Sequence, residues 1–154
     1  MMNRPSNQRG ADAGLETRLR TLRILWAVFL MNVGLFALFG VFSLRSGDAA
    51  EGGADDPTLL AAMAVVACLS VAVSFLIKGR FYRQAAERGE PARAQQGLIV
   101  ALVLCEVSAL LGLVGLLLTL NEYAYGLFAL GALGQLLHFP RRDELAAAYR
   151  KGLR

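Results

Sequence analysis

The chain has 154 residues, 56% hydrophobic and 18% charged, with a net charge of +4 and a mean hydropathy of +0.48. Soluble domains carry roughly 45–50% apolar and about 25% charged residues, so both balances exclude an ordinary water-soluble globule. The apolar excess is gathered into four nearly uncharged runs, which leaves no room for a separate soluble catalytic domain of about 50 residues or more.

Residues 1–23 form a basic N-terminal segment. In LETRLRTLR, Leu15, Leu19 and Leu22 fall at helical spacing with arginines between them, the pattern of a short helix lying on the inner leaflet before the chain turns into the membrane. The first run, Ile24 to Leu44, is 21 residues without a charge, broken only by Asn32, two glycines and Ser43. It is longer than a signal-peptide core and reads as an uncleaved anchor. The segment that follows, RSGDAAEGGADDP, holds Asp48, Glu51, Asp55 and Asp56 without calcium-loop spacing and has little to bury, which favours a solvated linker. The second run, Thr58 to Ile77, is 20 residues, with Cys68, Ser70 and Ser74 as its most polar members. The third, Gly97 to Leu120, is 24 residues and contains Glu106; the fourth, Tyr123 to Phe139, is 17. At about 1.5 Å per residue the fourth reaches only about 25 Å, the short end of what crosses a hydrocarbon core of about 30 Å. Residues 140–154 are a C-terminal tail in which Pro140 ends the fourth run, and Asp143 and Glu144 favour the start of a helix through Tyr149.

These runs lack the alternation of barrel strands, and a lipid-exposed backbone must satisfy its own hydrogen bonds. The expected fold is therefore all-α: an antiparallel bundle of four transmembrane helices over residues 24–139. Of the 16 Lys and Arg residues, Arg45 alone lies between the first two runs, while the other fifteen lie before the first, between the second and third, and after the fourth. The positive-inside rule then puts both ends and the middle connection in the cytoplasm. A pI near 9.5 reports basic clusters facing anionic lipid, not nucleic acid. Arg80, Arg83, His138, Arg141 and Arg142 are expected at the lipid headgroups, with Trp26, Phe81 and Tyr82 at the inner interface and Tyr123 and Tyr125 at the outer.

The third run carries the most information. Ala101, Cys105, Ser108, Gly112, Gly115 and Thr119 recur at spacings of four and three, a stripe of small side chains that lets another helix approach closely, within the chain or in a partner. Glu106 lies off that stripe. Counted inward from the ends of their runs, Glu106, Asn32, Ser70 and Cys68 fall at similar depth, about 10–14 Å in. An ionised acid is costly there, so Glu106 is expected to be neutral and hydrogen-bonded to Asn32 or Ser70, either as a structural polar contact or as a proton or cation site.

The stretch GLIVALVLCEVSALLGLVGLLLT, with Glu106, Ala109, Gly112, Leu113 and Val114 in an E-x-x-A-x-x-G-L-V pattern, resembles the second helix of the c subunit (proteolipid) of rotary ATP synthases. That resemblance implies an ion-binding carboxylate at Glu106. The whole pattern, ending in LLHFPRR, resembles small uncharacterised four-helix proteins of the bacterial inner membrane.

Other chemistry is sparse. His138 is the only histidine, and a metal site needs several ligands. Cys68 and Cys105 are expected as packing thiols, not a disulfide. No phosphate loop, dinucleotide fingerprint, metalloprotease helix or nucleophile elbow occurs, and so no cofactor is implied. The sequence therefore points to a non-enzymatic accessory or assembly component of a membrane complex. Its partners would be the bilayer, other membrane subunits, or a second copy through the small-residue face. A proton- or cation-translocating subunit built on Glu106, Asn32 and Ser70 is the alternative.

Overall fold

A computed structural model describes the backbone of residues 4–45 and 57–146, with side chains from Ala13 to Ser43 and from Pro57 to Ala146. Among these residues the chain is helical throughout, in the order α1 (Arg4–Arg45), α2 (Pro57–Arg88), α3 (Pro91–Thr119) and α4 (Tyr125–Leu137), with a single 3-10 turn at Glu122–Ala124. A further helical segment begins at 142–146. The acidic connection at 46–56, Tyr149 and the last three basic residues lie outside the described part.

The helix ends follow local chemistry. Gly89 adopts the left-handed conformation (φ 67) and lets the Glu90 N–H reach back to the Ala85 carbonyl at 3.1 Å. Pro91, with no N–H to lose, opens α3 in its first turn. At the other end of α3, Leu120 is left-handed (φ 53) and its N–H caps the Leu116 carbonyl at 2.9 Å. Asn121 Oδ1 then accepts from the Tyr123 N–H at 2.9 Å and starts the turn into α4.

Three described helices, over Ala13–Ser43, Pro57–Arg88 and Pro91–Thr119, are long and apolar enough to cross a membrane, the most apolar 18-residue stretch of each having a mean hydropathy of 2.3, 2.6 and 2.5. The fourth run departs from the sequence reading. Tyr123 and Ala124 are spent on the 3-10 turn, leaving α4 with 13 residues, about 20 Å.

Packing fixes the directions. Phe81 lies against Gly97, Ser74 beside Cys105, and Leu60 and Met63 over Gly115, so α2 and α3 are antiparallel. Leu127 sits over Gly112 and Gly131 against the Cys105 carbonyl, so α4 also runs against α3. On the remaining side of α3, Val33 joins Ala109 and Leu116 in one cluster and Asn32 meets Glu106, which makes α1 parallel to α3. The small-residue stripe is thus buried inside the chain, under α2 and α4.

The N-terminal expectation needs correction. No break separates an interfacial helix from the first run, because α1 is continuous over 42 residues. Leu15, Leu19 and Leu22 do not face a bilayer surface; they are buried with Leu98, Leu102 and Leu145. The segment after Pro140 folds back over that end of the bundle, placing Leu145 on the three leucines. Arg142 pairs with Glu16 at 3.0 Å, and Lys78 with Glu144 at 3.1 Å. Trp26 Nε1 donates to the Gln135 carbonyl at 2.7 Å, and its ring stands edge-on to Phe139 at 5.1 Å. One end of the molecule therefore gathers the start of α1, the α2–α3 connection and the segment after α4.

Candidate functional site

Two polar constellations lie among the apolar helices. The first is the contact between Asn32 on α1 and Glu106 on α3, in which Asn32 Nδ2 donates to Glu106 Oε1. Both residues are half-buried. Glu106 stands near the midpoint of α3, on the order of 20 Å from Pro91 and from Thr119. The pair forms the polar part of a groove of about 630 Å³, whose apolar wall is supplied by α1 through Val28, Phe29, Met31, Leu35 and Leu38. Gly34 opens the wall, since nothing lies within 4 Å of where its Cβ would stand.

The sequence-predicted partners of Glu106 are therefore sorted by helix. Asn32 is brought to it, because α1 and α3 run side by side in the same direction. Ser70 is not: it is half-buried on α2, and α2 packs on the small-residue face of α3, away from α1. The depth count also fails on α2. Its helix continues past the apolar run to Arg88 before the turn, and the resulting register puts Ser74, one turn beyond Ser70, opposite Cys105.

Ser74 belongs to the second constellation, which sequence reasoning missed. Its hydroxyl lies 3.2 Å from His138 Nε2, 3.6 Å from Cys105 Sγ and 2.6 Å from the Val71 carbonyl. His138 Nδ1 lies 2.8 Å from the Gly134 carbonyl, which can only accept, so that nitrogen carries a proton. In the neutral ring Nε2 is then bare, and the Val71 carbonyl at 2.6 Å and Nε2 at 3.2 Å compete for the single Ser74 hydrogen. His138 is thus no interfacial tip beside Arg141 and Arg142. It is fully buried, with Phe75 edge-on at 4.3 Å. A serine beside a histidine is a nucleophile–base pair in form, yet Ser74, Cys105 and His138 are all 0% exposed, and a substrate has no approach to them.

Cys68 is exposed on α2 and Cys105 is buried; both are free thiols, so Cys105 alone fits the packing role expected of the two. Arg80, Arg83, Arg141 and Arg142 are exposed. Gln135, which carried no signal beyond being a lone amide in an apolar run, is fully buried with both side-chain polar atoms unpartnered. Among the described residues no group of three or more His, Cys, Asp or Glu could hold a metal ion. Comparison with known protein families, curated proteins and solved structures finds no match to this chain.

Proposed function

We propose that this chain is a multi-pass protein of the bacterial inner membrane that acts without catalysis, as an accessory or assembly component of a larger membrane complex. In this reading α4 is the fourth crossing, both ends and the α2–α3 connection are cytoplasmic, and Arg80, Arg83, Arg141 and Arg142 meet anionic headgroups. The short α4 is compatible with a crossing because α1 and α3 flank it, and irregular backbone at depth is tolerated where protein covers it.

One observation carries the functional half of the reading. Along α1, Ile24, Val28, Met31, Leu35, Leu38 and Phe42 are each half or more exposed, and they flank a groove that holds the Asn32–Glu106 contact. An acid and an amide at mid-depth on an outward-opening face are suited to engaging another membrane component. The sealed Ser74–His138 pair offers no chemistry to a substrate.

The alternative, a proton- or cation-translocating subunit, is favoured by the same carboxyl and by the proteolipid-like pattern around it. Flux in reconstituted vesicles separates the two. The accessory reading expects the wild-type chain and Glu106→Gln to show the same background proton and cation flux. Flux that needs the carboxyl and disappears in Glu106→Gln would overturn it in favour of translocation.

A further inference from the structure

We infer that the groove between α1 and α3 seats a membrane-spanning helix of a different protein, one that carries a Lys or Arg side chain at the level of Glu106. This rests on the accessory reading and names the chemistry of the partner.

The shape argument begins with α1. Its exposed stripe from Ile24 to Phe42 recurs at three- and four-residue spacing and extends for about 27 Å, close to the thickness of a hydrocarbon core. A partner helix that spans the membrane can lie against all of it. At mid-length the stripe is notched by Gly34, and the groove of about 630 Å³ reaches from there to the Asn32–Glu106 pair. That volume accepts a long side chain from the facing helix.

Charge identifies which side chain. Asn32 engages only Oε1 of the carboxyl, so Oε2 can receive a second donor. Acids within a membrane pair with bases or line polar cavities, and the rest of this groove is apolar. The base cannot come from this chain. Every Lys and Arg lies outside the four apolar runs; on α1 itself Arg23 lies over the Phe139 ring, and Lys78 and Arg142 are paired with Glu144 and Glu16. A second copy seated groove to groove brings only another Asn32 and another Glu106, and by any other apolar span it brings no Lys or Arg. Lipid tails could cover the apolar stripe, but they bring no donor to Oε2.

The test uses the full chain in phosphatidylethanolamine–phosphatidylglycerol vesicles, with energy transfer to a synthetic poly-Leu/Ala transmembrane peptide. The peptide carries one Lys at its centre, or Leu at the same position as control. The Lys peptide is expected to associate roughly tenfold more tightly than the Leu peptide, in the range of interhelical polar contacts. Glu106→Gln should remove that preference. Gly34→Phe, which enters open space and leaves the carboxyl in place, should block the Lys peptide by filling the notch. Equal association of both peptides, a Lys preference that survives both substitutions, or no association at all would overturn the inference. So would transfer between labelled copies of the chain that is lost in Gly34→Phe, since it would make a second copy the occupant. If any of these occurs while vesicle flux stays independent of Glu106, the basic partner alone is overturned; carboxyl-dependent flux removes the accessory reading itself.

Discussion

Glu106 and Gln135 are both polar side chains set in apolar helices, and their surroundings separate them. Glu106 has an amide partner and a groove in front of it, whereas the Gln135 side chain is sealed with no partner for donor or acceptor. A buried unpartnered amide costs about 1–3 kcal/mol, and an apolar replacement of similar shape removes that cost. Gln135→Met is therefore expected to raise the stability of the detergent-solubilised bundle by about that amount, read by circular dichroism during unfolding in sodium dodecyl sulfate. A lowered midpoint would mean that the amide holds something essential in place. The contact between Glu106 and Asn32 was legible in the sequence because α1 and α3 are parallel, so counting inward from the same end puts both at one level. His138 was not legible: its neighbours Arg141 and Arg142 look interfacial, whereas the ring is turned inward against Ser74 and Phe75.

At the scale of elements, α4 shows how little length is needed when packing is close. Gly131 presses its backbone against the Cys105 carbonyl, where an added Cβ would come within 2.9 Å, while Gly126 on the same helix has open space. Gly131→Ala should destabilise the bundle by about 1–3 kcal/mol, the usual range for overpacking. Gly126→Ala should stabilise it by roughly 0.5–1 kcal/mol through helix propensity alone. The same unfolding assay measures both, and equal effects would contradict the close approach of α3 and α4. The small-residue stripe of α3 was visible as a packing face from its spacing. Which helices use it was not, since apolar runs of similar composition carry no label for their neighbours. The boundary errors have one cause: hydropathy marks where a helix is apolar, whereas α2 and α1 continue well into charged sequence, and the 3-10 turn takes residues from the apolar fourth run.

For the whole molecule, the arrangement of charge and the return of the chain agree. Leu15, Leu22, Leu98 and Leu145 meet in one cluster, with the Arg142–Glu16 and Lys78–Glu144 pairs beside it. Apart from Leu98, at the start of the third run, these residues come from the three basic regions that the positive-inside rule assigns to one compartment. The opposite end is formed by the start of α2 and the turn after Thr119. Single cysteines introduced within 46–56, at Arg83 and at Arg142, in a chain lacking Cys68 and Cys105, and probed with a membrane-impermeant maleimide on intact cells, test the threading directly. The account predicts labelling within 46–56 from outside, and labelling at 83 and 142 only after the membrane is opened. Labelling of 83 from outside, or of 142 from the side opposite to 83, would contradict it.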